Sequence, residues 1–147
     1  MTIRKLGLEE MDAAAAVHRA SLLHAMPLFA GLHTAEEDRQ YFRRHVFPAC
    51  EVWGAFDEQT LVGIIAFRRD WVDQLYVLPS AQRLGIGTDL LDIARNKYSS
   101  LHAWTFQRNT GARSFYESRK FVSIKETDGL GNAEKEPDVL YFWFARP

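Results

Sequence analysis

The sequence predicts a mixed α/β fold, a central sheet of about seven strands with four helices, in the order β, α, α, β, β, β, α, β, α, β, β. Three observations carry this. Short runs of β-branched and aromatic residues alternate with longer stretches of helical apolar spacing. Pro27, Gly31, Pro48, Pro79 and Gly111 stand at the changes between them. The chain has 147 residues, 47% hydrophobic and 13% aromatic, with no internal repeat, which suits one globular domain over 1–147.

Thr2 to Leu6 reads as a first strand. From Leu8 to about Leu23, the spacing of Leu8, Met11, Ala15 and Leu22 suits a helix with one face on a sheet. Thr34-Ala35-Glu36-Glu37 is a capping box opening a second helix, which Pro48 is expected to end. Glu51 to Phe56 and Leu61 to Arg68 form two strands around the turn Asp57-Glu58-Gln59-Thr60. Trp71 to Val77 is a central strand feeding the helix Gly87 to Tyr98. Leu101 to Phe106, the helix Thr110 to Arg119, and the strands Phe121 to Lys125 and Val139 to Phe144 complete the order.

Composition excludes several classes. A net charge of −1 with scattered Arg residues argues against a nucleic-acid binder. Cys50 is the sole cysteine, so no intrachain disulfide forms, and its strand-like setting suggests a buried thiol. No signal pattern or long apolar run appears, so the expected location is cytoplasmic, away from membranes. His18, His24, His33, His45 and His102 show no metal-ligand spacing, and no metal is expected.

The chemistry is concentrated in the strand–turn–helix Leu75 to Gly87. A glycine-bearing turn at a helix start leaves unpaired N–H groups that hold an anion, and Arg83 adds a cation. Gly85 and Gly87 let a ligand approach the backbone. A Walker A loop fails for want of its spacing and Lys. A dinucleotide fingerprint fails because Leu90 replaces its third Gly. What fits is Gln/Arg-x-x-Gly-x-Gly/Ala, met by Gln82, Gly85 and Gly87, within the loop Gln82, Arg83, Leu84, Gly85, Ile86, Gly87 and Thr88. Asn109, 22 positions after Gly87, opens a second segment ending in Phe115-Tyr116.

The two segments together resemble the core of the GCN5-related N-acetyltransferases over about Asp73 to Val122. The resemblance implies a mixed, mostly antiparallel acyl-CoA N-acyltransferase fold. It also implies an N-acetyltransferase that moves an acetyl group from acetyl-CoA to a primary amine of a small molecule or peptide, directly in a ternary complex. Backbone groups at Tyr76 and Val77 then meet the pantetheine and thioester. Asn109 reaches the pantetheine arm or serves only as an N-cap. Tyr116 is the general acid for the leaving thiolate or a packing aromatic. Asp73 is a candidate base or a structural carboxylate. Gln74 and His33 are candidate acceptor contacts, and Glu134 belongs to an acidic connection between Glu126 and Asp138 that is expected to attract a cationic amine. The chain departs from the family at Arg119-Lys120-Phe121, where a Gly commonly stops the helix. The alternatives are a non-catalytic acyl-CoA sensor, or a partner-binding module using the aromatic tail Tyr141-Phe142-Trp143-Phe144 as an exposed edge that favours a homodimer.

Overall fold

A computed structural model describes residues 1–146 of the chain. Seven strands form one sheet in the order β1-β2-β3-β4-β5-β7-β6. They are β1 Thr2–Lys5, β2 Glu51–Asp57, β3 Thr60–Arg68, β4 Trp71–Val77, β5 Ser100–Phe106, β6 Val122–Thr127 and β7 Asp138–Phe144. Every neighbouring pair is antiparallel except β4 and β5. The expected mixed, mostly antiparallel sheet is therefore the observed one.

Four helical segments pack on it. α1 is Met11–Ala25, preceded by a 3₁₀ turn at Leu8–Glu10. α2 begins at Ala35, where Thr34 Oγ1 accepts from Glu37 N at 3.1 Å and Glu37 returns the bond at 2.7 Å. Pro48 does not end this helix. A π turn at Phe42–Val46 puts the Phe47 N–H on the Phe42 carbonyl, and the chain stays helical through Phe47–Ala49. The widened turn displaces the carbonyl that the pyrrolidine ring would otherwise strike. α3 is Ile86–Lys97 and α4 is Thr110–Ser118.

The helices divide between the two faces. Met11, Ala14, Ala15, Val17 and Phe42, from α1 and α2, bury against Val52, Ile64 and Ala66. Leu90, Leu91 and Ala94 of α3 and Tyr116 of α4 bury against Ile65, Leu101, Ala103 and Val139. Leu90 and Leu91 are fully buried, and at ~1.5–3 kcal/mol for each such side chain they clamp α3 onto the sheet.

The tail is not an edge. β7 lies between β5 and β6, so its backbone is paired on both sides, and β6 is the outer strand. One face of β5 and β7 is uncovered by helices and carries a ladder of rings. Trp71 stacks on His102 at 4.7 Å, His102 meets Phe142 at 4.8 Å, and Phe142 stacks on Phe144 at 6.0 Å.

Candidate active site

The site starts from a fault in the sheet. β4 and β5 share a single bridge, Trp71 with His102, and then diverge. A bulge explains the turn-away. Ala66 pairs with Gln74 and Phe67 with Val72, which leaves Asp73 unpaired and bends β4 toward β3. Leu78 N donates to Val62 O at 2.8 Å, so alternate residues Gln74, Tyr76 and Leu78 turn their backbone groups to β3. The N–H groups of Leu75 and Val77 then face the wedge between β4 and β5. Val77 was an expected backbone contact and Leu75 was not. Tyr76, also expected, has its N–H turned away, and what it brings to the site is its ring.

At the end of the wedge lies the glycine turn. Gly85 caps α3 at φ 83°, a left-handed conformation natural to glycine, and nothing lies within 4 Å of where a Cβ would stand. Arg83 is also left-handed, at φ 67°, and Arg83 and Leu84 are both exposed. The first helical bond, Asp89 N to Gly85 O at 3.0 Å, leaves the N–H groups of Ile86, Gly87 and Thr88 without intrahelical partners. Together with the helix dipole, they form an anion cradle. Gln82 does not project into it. Its Nε2 donates to the Val77 carbonyl at 3.0 Å, where Ser21 Oγ of α1 also donates at 3.0 Å, and the two brace the strand end. Gly87 needs a correction of reason. The space left by its missing Cβ is taken by the ring of Phe115, at 2.9 Å from an ideal Cβ, and not by an approaching ligand.

Asn109 Oδ1 accepts from Ala112 N at 3.1 Å as the α4 N-cap, and its Nδ2 is free to donate elsewhere. Tyr116, about two turns further on, is buried against Phe115, Phe121 and Tyr141. Burial, then the nearby Tyr76 phenol, hold its pKa above the ordinary tyrosine value. Its hydroxyl makes no side-chain hydrogen bond among the described residues, so the packing aromatic keeps an available proton.

On the α1 face of β4, Tyr76 packs edge-on to His18 at 4.7 Å. Burial first, and then the charge of Glu134, push the Tyr76 pKa up. Burial first, then Asp73 and Cys50, and last Glu134, push the Tyr41 pKa up. Beside them, Gln74 Oε1 is buried with no partner. Asp73 points elsewhere and is committed, accepting from Arg68 Nε at 2.6 Å and from Cys50 Sγ at 3.5 Å. That carboxylate and burial push the Cys50 thiol up to about 12, burial being the larger cause, and Cys50 is half-buried. His33 stays exposed, its carbonyl held by Arg19 Nη1 at 3.0 Å.

The connection between β6 and β7 is more ordered than a charge run suggests. Glu136 is buried and pairs with Arg108 Nε at 3.2 Å. Asp138 accepts from Thr127 and from Asn132 Nδ2, and Glu126 lies 3.7 Å from Arg113. Asp128 Oδ1 accepts from Leu130 N at 3.0 Å, so four of the five acids are internally engaged. Glu134 is the fifth, and its charge acts on Tyr76 of β4. Among the described residues no group of three His, Cys, Asp or Glu side chains is arranged to hold a metal ion. No helix is long and apolar enough to cross a membrane.

Sequence reasoning missed His18, Ser21, Leu75 and Arg119. His18 and Ser21 lie three apart on α1 and are both directed at β4, a helix-face signal that points to lining residues once β4 is known to carry the site.

The model of the acetyltransferase (GNAT) family matches residues 19–121. No curated protein matches the sequence. Among solved structures, the apo form of YjaB from Escherichia coli superposes with a TM-score of 0.81 at 18% identity, over 99% of this chain and 98% of that one. PaiA N-acetyltransferase from Thermoplasma acidophilum in complex with coenzyme A gives 0.68 at 23% identity, over 97% and 98%. The yncA protein from Salmonella typhimurium with its cofactor acetyl-CoA gives 0.73 at 16% identity, over 100% and 95%. At these identities the likeness is one of fold.

Proposed function

The chain belongs to the acetyltransferase (GNAT) family, and from that premise we propose that residues 1–147 form one N-acetyltransferase domain using acetyl-CoA. The acceptor is the primary amine of a small molecule or peptide, the reaction is direct transfer in a ternary complex, and the site of action is the cytoplasm. The observation that carries the reading is the divergence of β4 from β5 after one bridge, with an anion cradle at one end and the Tyr116 hydroxyl in the packed wall of α4.

The residues fit the cosubstrate. Free N–H groups at Ile86, Gly87 and Thr88 suit a pyrophosphate, and the open side of Gly85 admits it to the backbone. The N–H groups of Leu75 and Val77 and the Asn109 Nδ2 suit an amide-bearing pantetheine arm in the wedge. The donor at Val77 also suits a thioester oxygen, which gains negative charge as the amine attacks.

Transfer makes a bond from amine nitrogen to carbonyl carbon and breaks the bond from carbon to sulfur. The Tyr116 hydroxyl supplies a proton to the departing sulfur, and its phenolate is re-protonated from solvent. The protonated amine gives up two protons to solvent, one before attack and one from the tetrahedral adduct, so the net release is one proton. On the acceptor side, Glu134 attracts the protonated amine and the unpaired Gln74 Oε1 accepts one of its N–H groups. Asp73, held by Arg68, acts only through water in this scheme. The ring ladder of half-buried Trp71, His102 and Phe142 ending in exposed Phe144 is the surface that a homodimer would use.

The test is thiol release from acetyl-CoA with a panel of amines. Release that depends on the amine supports the transferase. Tight coenzyme A binding with no release by any amine favours a non-catalytic acyl-CoA sensor.

A further inference from the structure

Arg119 leaves the C-terminal end of α4, yet its guanidinium lies at the opposite end of α3. Nε donates to Thr88 Oγ1 at 2.8 Å and Nη1 to the Phe115 carbonyl at 2.9 Å. Cζ sits 3.8 Å above the centre of the Phe115 ring, the same ring that fills the space beside Gly87. The cation thus touches Thr88 directly and shares the Phe115 ring with Gly87, both in the first turn of α3.

Among the described residues no carboxylate is paired with that charge. Arg119 is half-buried and forms no ion pair among the described residues. The carboxylate that acts on it, Asp92, is committed to Arg95 at 2.5 Å. Arg95 is itself a nearby cation and donates to the Arg119 carbonyl at 3.3 Å. The positive end of the α3 dipole adds a third unfavourable contribution, since helix N-termini favour anions and disfavour cations. Burial, followed by Arg95, accordingly lowers the Arg119 pKa. Fixed by two hydrogen bonds and a stacked ring, the guanidinium still has Nη2 without an acceptor among the described residues. A half-buried cation held rigidly at a positive helix end, with a donor edge to spare, is organised for an anion that the chain does not itself contain.

We infer that Arg119 is a phosphate-binding residue of the coenzyme site, its Nη2 edge acting with the free N–H groups of Gly87 and Thr88. The inference rests on the coenzyme A reading above. A phosphate there offsets the repulsion of Arg119 by Arg95 and by the α3 dipole, and makes affinity for the donor depend on its phosphates. The coenzyme offers that chemistry twice, in its pyrophosphate and in its 3′-phosphate.

The test titrates the full chain and its Arg119→Gln and Arg119→Lys variants with coenzyme A and with 3′-dephospho-coenzyme A, at low and high salt. Arg119→Gln is expected to weaken coenzyme A on the order of tenfold to a hundredfold and to flatten the salt dependence. Arg119→Lys should recover part of the loss. Equal weakening of both ligands assigns Arg119 to the pyrophosphate, whereas weakening of coenzyme A alone assigns it to the 3′-phosphate. Unchanged affinity in Arg119→Gln, or a loss with undiminished salt dependence, overturns the inference, because a packing role has no reason to alter the response to salt. Failure of the unaltered chain to bind coenzyme A at all would instead remove the coenzyme reading and this inference with it.

Discussion

Gly87 and Phe115 fit against each other with no room for a methyl group: an ideal Cβ on Gly87 would lie 2.9 Å from Phe115 Cε1. The ring cannot swing clear, because Arg119 lies over it at 3.8 Å and Tyr116 meets its edge. This contact holds α4 against the first turn of α3, so the anion cradle and the candidate acid are positioned by one packing event. Gly87→Ala is therefore expected to lower stability. Overpacking costs about 1–3 kcal/mol, against a helix-propensity gain of about 1 kcal/mol over Gly. Adding Phe115→Leu should restore part of the loss, and a double-mutant cycle in urea that is strictly additive would show the two residues uncoupled.

Tyr116→Phe tests the acid. The hydroxyl makes no side-chain hydrogen bond among the described residues, so thermal stability should change little. With a fair leaving group, loss of the proton donor should lower kcat by roughly tenfold to a few hundredfold, the low end for general acid catalysis, with KM for acetyl-CoA near that of the unaltered chain. Because burial raises the phenol's pKa, Tyr116 stays protonated through the neutral range. It should therefore impose no fall in kcat between pH 7 and pH 9, while full kcat in the variant would reduce Tyr116 to packing.

His18 gives a pH dependence of stability with a definite sign. Burial, opposed by Asp38 and aided by Arg19 and His33, lowers its pKa from 6.5 to about 4. The unfolded chain binds the proton first as pH falls, so the contribution is full above pH 6.5 and is lost as pH drops through 4. The shift corresponds to roughly 3 kcal/mol. His18→Leu should flatten the decline in urea-unfolding free energy between pH 6.5 and 4. A variant with the same decline would place the acid sensitivity on other groups.

Glu134 and Glu136 should behave differently despite lying two apart. Glu134→Gln is expected to raise KM for an amine acceptor at low salt, with the effect fading as salt rises. Glu136→Gln removes the charge from a buried pair with Arg108 and should instead lower stability. Its expected cost is on the order of 1–3 kcal/mol, read from thermal or urea unfolding. Matching kinetic effects from the two substitutions would return Glu134 to the status of surface charge.

Lys120 stands where the family commonly has glycine. Its φ is 72°, and Phe121 N and Lys120 N donate back to the Tyr116 and Glu117 carbonyls at 3.1 and 3.3 Å, a Schellman closure of α4. The left-handed conformation costs a side-chain-bearing residue about 1–2 kcal/mol, part of which glycine gives back in unfolded-state entropy. Lys120→Gly should raise stability by up to about 1 kcal/mol in urea unfolding, and a fall would show that the Lys120 side chain contributes contacts of its own.

The sequence by itself determined what depends on neighbours along the chain. The Thr34 to Glu37 capping box, the Asn109 cap and the turn around Gly85 are local hydrogen-bonding and φ preferences, legible because the participating residues lie within a few positions of each other. The order of strands and helices follows from periodicity for the same reason. The tertiary structure decided whatever depends on residues far apart. A π turn carried α2 past Pro48, and β7 became an internal strand because β6 paired outside it. The bulge at Asp73 chose which β4 amides face the wedge. Phe115, 28 positions away, claimed the space at Gly87, and Arg119, 31 positions from Thr88, brought a cation to a helix end that disfavours one. Periodicity shows which face of an element is apolar, but which atoms meet across that face is settled only when the elements pack.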